Sequence, residues 1–207
     1  RQTILMRGLY VVTDAQIDHP DRLHQQVSEA IDGGASWVQF RHKTDDDGLY
    51  RALADSVVEC CRNKHTPCLI NDRVEIAKAL HVAGVHLGQD DGDLSDARLD
   101  LGEAAIIGRT CHNSRQLMEN AVRDGVTYCA FGRLFESETK PGAKGLSLDD
   151  LKYLVKQCPI PTVAIGGINV DNAPIVLDTG VSMLAVSGAV FRARDIGDAA
   201  RRLSDLF

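Results

Sequence analysis

The sequence predicts an α/β protein folded as one (β/α)8 TIM barrel over residues 1–207, and two observations carry that expectation. Eight short apolar runs recur along the chain, rich in β-branched or aromatic residues and often closed by Gly or Asn. Between them lie stretches whose apolar residues repeat at helical spacing. Strands alternating with helices imply a parallel sheet. Eight units of roughly 26 residues suit a barrel near the small end of its size range. An open doubly wound sheet is the main rival, but there is no linker, and no G-x-G-x-x-G follows the first run.

The elements follow in order. "LYVVT" (9–13) is the first strand, and Leu23, Val27, Ala30 and Ile31 give a helical face over Asp21–Ile31 that Gly33 ends. "WVQF" (37–40) is the second strand, followed by a helix over Leu49–Cys61. "CLIN" (68–71), "GVHLG" (84–88) and "AAIIG" (104–108) are the next three strands. Ser114 caps a helix to Val122 that Gly125 closes. "YCAFG" (128–132), "PTVAIG" (161–166) and "MLAVS" (183–187) complete the set, with Ser147, Asp171 and Asp195 as expected N-caps and Gly180 as a helix stop.

Composition narrows the function classes. Hydrophobic residues make up 44% and charged residues 25%, as in an ordinary globular domain. A net charge of -6 argues against nucleic acid as a partner. No apolar run approaches the ~18 residues of a membrane span, and the start lacks a signal-peptide core. The six cysteines include no C-x-x-C and sit mostly in apolar segments, which reads as reduced, structural thiols in a cytoplasmic protein. The chain starts at Arg1, so a removed segment or a longer fusion stays open.

In such a barrel the reactive residues gather at the C-terminal ends of the strands. In "WVQFRHK", alternation puts Trp37, Gln39, Arg41 and Lys43 on one face and Val38, Phe40 and His42 on the other. A cation facing the interior needs a partner, and an anion at the barrel mouth would be one. "LINDR" ends the third strand with Asn71 and Asp72, and "HLGQDD" ends the fourth with Asp90 and Asp91. Each alone reads as a cap or an exposed turn; together they place carboxylates beside cations. Mg²⁺ takes one or two carboxylates plus phosphate and water, so the set suits a metal-assisted diphosphate. Thr110 follows the fifth strand. The loop "RLFESETKPGAKG" (133–145) is long enough to act as a lid, and its Lys140 can reach a phosphate. "IGGIN" (165–169) and "VSGAV" (186–190) carry small residues where barrels of this kind bind a monophosphate. His86 and His112 lie near strand ends without metal spacing and read as structural. No Ser–His–Asp arrangement or H-E-x-x-H stands in the chain.

In order and spacing, "QFRHK", "LINDR", "GVHLGQDD", "SETKPG" and "VAIGGIN" resemble the thiamine-phosphate synthase family, the thiazole-phosphate pyrimidinyl transferases of vitamin B1 synthesis. The resemblance runs from "GLYVVTD" to "VSGAVF". It implies a TIM barrel that condenses a hydroxymethylpyrimidine diphosphate with a thiazole phosphate, giving thiamine phosphate and pyrophosphate. It implies that Gln39, Phe40, Arg41, His42, Lys43, Asn71, Thr110 and Lys140 meet the pyrimidine diphosphate, with Arg41, Lys43 and Lys140 as the catalytic cations. Ser137, Glu138, Thr139, Gly167, Val186 and Ser187 would meet the thiazole phosphate. Asp72 and Asp91 would hold one Mg²⁺ per subunit. The expected partners are these small molecules, with neither nucleic acid nor membrane, and the state is left open between monomer and homodimer. The chain departs from the family pattern at His42 (usually Glu), Thr110 (usually Ser), Arg133 (often Pro) and Ser137 (usually Thr). Three alternatives stand: a thiazole tautomerase-like enzyme on the same barrel, a non-catalytic carrier or sensor of thiamine phosphate, and another phosphate-binding barrel enzyme.

Overall fold

The computed structural model describes residues 6–135 and 145–207. Eight strands alternate with helices: β1 (Gly8–Val12), α1 (Pro20–Asp32), β2 (Trp37–Phe40), α2 (Asp47–Asn63), β3 (Cys68–Asn71), α3 (Val74–Leu80), β4 (Gly84–Leu87), α4 (Leu94–Leu101), β5 (Ile106–His112), α5 (Arg115–Arg123), β6 (Tyr128–Gly132), α6 (Leu148–Gln157), β7 (Thr162–Ile165), α7 (Ala173–Leu177), β8 (Met183–Val186), α8 (Gly188–Phe191) and α9 (Ile196–Ser204). The strands pair in sequence order, all parallel, and β8 closes on β1. The predicted (β/α)8 TIM barrel is therefore the observed fold. Among the described residues no helix is long and apolar enough to cross a membrane.

Alternation along each strand splits the core in two. Leu9, Val11, Val38, Phe40 and Ile70 face outward and pack with the helices. Tyr10, Trp37, Leu69, Ile106, Tyr128 and Met183 face inward and fill the barrel. Tyr10, Trp37 and Tyr128 meet edge to face with ring centroids 5.6–6.1 Å apart, the arrangement that the ring quadrupole favours. This aromatic cluster is the floor beneath the C-terminal mouth.

Capping fixes where the helices begin. Ser114, Ser147 and Asp195 each accept a backbone N–H in the first turn of α5, α6 and α9, as expected. Asp171 does not cap α7: that helix starts after Asn172, and the Asn169 side chain takes the Asp171 and Asn172 N–H groups instead. Gly33 ends α1 in a right-handed conformation. Glycine is needed there because a Cβ would come within 2.4 Å of the Gly197 carbonyl oxygen at α9. The fifth strand runs on past the expected 104–108 to His112, with a bulge between Thr110 and His112. The polar letters of "GRTCH" hid that extension, although alternation still turns Cys111 outward into the core.

At Gly84 a Cβ would stand 1.8 Å from the carbonyl oxygen of its register partner Ile106. Backbone cannot yield as a side chain end can. Gly84→Ala is expected to lower stability by about 3 kcal/mol, measured by urea unfolding. A midpoint at the wild-type value would contradict this packing of β4 on β5.

Candidate active site

A cavity of about 390 Å³ opens at the C-terminal ends of the strands. Gln39, Arg41, Asn71, Asp72, Asp91 and Thr110, all singled out from the sequence, line it together. So do Asp90, which the sequence sets beside Asp91 among the strand-end carboxylates, and Tyr10, His86, Gln89, His112 and Tyr128, which the sequence did not mark as site residues.

The floor is a hydrogen-bonded chain across five strands. Gln39 Nε2 donates to the Tyr10 hydroxyl (2.9 Å), which lies 3.0 Å from the Tyr128 hydroxyl. His86 Nδ1 lies 2.9 Å from Tyr128 Oη, and His86 Nε2 lies 2.8 Å from Thr110 Oγ1. With Gln39 donating, one proton order uses every group: Tyr10 donates to Tyr128, Tyr128 to His86 Nδ1, and His86 Nε2–H to Thr110. The Thr110 hydroxyl then keeps its own proton for the cavity, and Gln39 Oε1 remains an acceptor. Burial pushes both phenols well above their usual range. Burial also pushes His86 down to about 4, against the pull of Asp91. The floor is therefore neutral at pH 7.

The rim carries the charge. Asp72 follows β3 with φ of 63°, a left-handed conformation uncommon outside glycine. Its N–H donates to the His86 carbonyl at 2.9 Å, so the residue after one strand is fixed to the next. Burial, then a hydrogen bond shared with Asp91 and that residue's charge, push Asp72 up to about 6; Asn71 and Arg41 pull it down. Asp91 Oδ2 accepts the Gly88 N–H at 2.7 Å. Two crowded carboxylates beside a cavity are a donor set short of positive charge. Among the described residues no three His, Cys, Asp or Glu side chains converge as a metal cage. A pair suits Mg²⁺, which completes its shell with phosphate and water.

Other expected residues stand elsewhere. Arg41 and His42 keep the alternation for two residues past the end of β2, but Lys43 does not: it is exposed and outside the cavity wall. Phe40 faces outward against Tyr50, with ring centroids 5.1 Å apart. His42 is buried on the same side, with Nε2 2.9 Å from Asp18 Oδ1. Gly167 and Ser187 lie at the ends of β7 and β8, beyond the residues lining this cavity. The Val186 side chain is buried in the outer layer, so it can offer a ligand only main-chain groups. Ser137, Glu138, Thr139 and Lys140 lie outside the described residues. Tyr10 and Tyr128 were missed because they sit in apolar runs and read as core, although each occupies an inward position of its strand.

Comparison with known proteins adds identity to this geometry. The sequence profile of thiamine monophosphate synthase matches residues 9–190. A thiamine phosphate pyrophosphorylase from Pyrococcus furiosus superposes with a TM-score of 0.87 at 32% identity, covering 98% of this chain and 96% of that one. A thiamine phosphate pyrophosphorylase from Bacteroides thetaiotaomicron gives 0.67 at 15% identity over 96% of each chain. A (S)-3-O-geranylgeranylglyceryl phosphate synthase from Thermoplasma acidophilum, in complex with sn-glycerol-1-phosphate, gives 0.73 at 13% identity over 97% of this chain and 92% of that one. At such identities the last two speak to the barrel alone.

The neutral His86 makes a pH prediction. An unfolded chain protonates this ring near 6.5, whereas the folded protein resists until about 4. Its contribution to stability is whole above pH 6.5 and is lost as pH falls through about 4. Asp72 acts in the opposite sense, its contribution being lost as pH rises through about 6. Comparing the wild type with His86→Gln isolates the His86 part: the wild type should lose more stability between pH 7 and pH 4.5 in urea unfolding. A His86 ring that titrates near its ordinary value by NMR would refute the buried, neutral assignment.

Proposed function

The chain belongs to the thiamine monophosphate synthase family, and from that premise we propose that it joins a hydroxymethylpyrimidine diphosphate to a thiazole phosphate. The products are thiamine phosphate and pyrophosphate. The observation that carries the reading is the convergence of Gln39, Arg41, Asn71, Asp72, Asp91 and Thr110 on one cavity at the strand ends.

The pyrimidine ring lies on the neutral floor. Gln39 Oε1 accepts from its exocyclic amino group, and the Thr110 hydroxyl, fixed by His86, donates to a ring nitrogen. The diphosphate lies along the rim, against Arg41 and Asn71, with Lys140 assigned to it by resemblance. Asp72 and Asp91 would hold one Mg²⁺, which when bound supplies positive charge to the leaving pyrophosphate. Arg41 and Lys140 contribute in the same sense, because charge collects on the leaving group as the methylene C–O bond breaks. The electron pair of that bond departs with pyrophosphate, and the carbon is left as a cation conjugated with the amino-pyrimidine. The thiazole nitrogen then donates its lone pair to form the new C–N bond. That nitrogen carries no proton, so no general base is needed. Ser137, Glu138, Thr139, Gly167, Val186 and Ser187 are proposed to seat the thiazole phosphate and bring the nitrogen into line.

The first test is a product assay with both substrates, with and without Mg²⁺. Mg²⁺-dependent thiamine phosphate is expected, reduced at least about 100-fold in Asp72→Ala and in Lys140→Ala. Folded protein that forms no product but isomerises a thiazole phosphate would replace this reading with a tautomerase. Unchanged turnover in Lys140→Ala would remove that lysine from the leaving-group site.

A further inference from the structure

Arg41 is the rim cation that the proposed reading depends on, yet it lies beyond the end of β2 and has no strand ladder of its own. Its main chain is held by one side chain. The Thr13 hydroxyl accepts the Arg41 N–H at 2.9 Å and donates to the Arg41 carbonyl at 2.9 Å. Thr13 is itself fixed: it is 2% exposed, and its N–H donates to the Gln39 carbonyl at 3.0 Å. The β1–β2 pairing thus continues one residue further, with a side-chain hydroxyl standing in for the backbone. The next residue is tied to the same β1–α1 segment, since His42 Nε2 meets Asp18 Oδ1 at 2.9 Å. Asp18 is largely exposed, so the buried Thr13 is the stronger of the two ties.

We propose that Thr13 is a positioning residue for diphosphate binding. It fixes the main chain of Arg41 so that the guanidinium stands over the cavity before substrate arrives. The inference rests on the assignment of Arg41 to the diphosphate and adds a residue that touches neither substrate. A hydroxyl that serves both polar groups of one residue cannot be replaced by a methyl group, although the shape is nearly kept. Thr13→Val leaves the N–H and the carbonyl of Arg41 without that partner, and the following side chain is free to wander. Thr13→Ser retains both hydrogen bonds.

The test measures binding of inorganic pyrophosphate with Mg²⁺ by calorimetry, alongside the KM of each substrate. In Thr13→Val the pyrophosphate Kd and the KM for the pyrimidine diphosphate should rise about tenfold. The KM for the thiazole phosphate should stay at its wild-type value, and Thr13→Ser should restore both altered constants. Thr13→Ala provides the same comparison should Thr13→Val not fold. Unchanged pyrophosphate binding in the hydroxyl-free variant overturns the inference, as does a parallel rise of both KM values, which marks a general loosening of the barrel. Arg41→Met separates the two levels. If it weakens pyrophosphate binding while the Thr13 variants do not, only the inference falls. If Arg41→Met binds pyrophosphate like the wild type, the assignment of Arg41 falls and the inference falls with it.

Discussion

A polar group sealed inside a closed barrel has no water to turn to, and leaving it unpaired costs about 1–3 kcal/mol. Tyr10 and Tyr128 bring two hydroxyls into that position, each almost wholly buried. A phenol has a single proton to give, so their pairing sets the direction of every hydrogen bond beyond them. Gln39 supplies one end, and His86 and Thr110 absorb the other. The imidazole is held by both nitrogens, which fixes its tautomer and its plane. Its ring also lies nearly parallel to that of Tyr128, 5.7 Å from centroid to centroid. The same burial keeps the tyrosines and the histidine uncharged. The floor of the cavity is thus rigid, polar and neutral as a consequence of how it is sealed.

The rim obeys a different constraint. There the chain leaves the strands, and its geometry is set by turns and single side chains. Asp72 in a left-handed conformation is costly on its own and is held on both sides. Its N–H is tied to β4, and the following Arg73 lies 4.4 Å above the Tyr50 ring and pairs with Asp47 and Glu75. Tyr50 in turn packs on Phe40. Phe40 and His42 therefore sit in the layer that supports the rim, although neither side chain lines the cavity. At the other edge, the Asp14 carboxylate pairs with Arg192 at 2.8 Å, joining the end of β1 to the segment after β8. Charge is concentrated where the backbone is pinned from outside.

That division explains what could be read from the letters. The eight strands were legible because a doubly buried strand needs an apolar run and a turn after it, and both leave compositional marks. Gln39 and Arg41 were legible because they interrupt such a run on one face. Lys43 was carried along by the same alternation, which Thr13 holds at Arg41 beyond the end of β2 and which is gone by Lys43. Tyr10 and Tyr128 were hidden because a tyrosine in an apolar run looks like core, which each of them is; the hydroxyl that matters is a minor part of the side chain. His86 looked isolated, since its partners come from β5 and β6, 24 and 42 residues away. Thr13 carried no mark, because a hydroxyl at a strand end gives no hint that it grips the backbone of a neighbouring strand.

The neutral floor also bears on which chemistry the barrel can host. A base that removes a proton from carbon needs a free lone pair facing the substrate. His86, the most deeply set basic group on the cavity wall, has neither nitrogen free: Nδ1 takes the tyrosine proton and Nε2–H is given to Thr110. To use it as a base, the chain of hydrogen bonds would have to reverse from Thr110 back to Tyr10, whose oxygen would then accept from both Gln39 and Tyr128 and whose own O–H would lose its acceptor. A displacement by an unprotonated ring nitrogen makes no such demand. It asks for a surface that orients a flat, amino-bearing ring without protonating it, and for cations placed where a diphosphate departs. A floor locked as hydrogen bonds and a rim locked as charges would serve those two requirements of the proposed reaction.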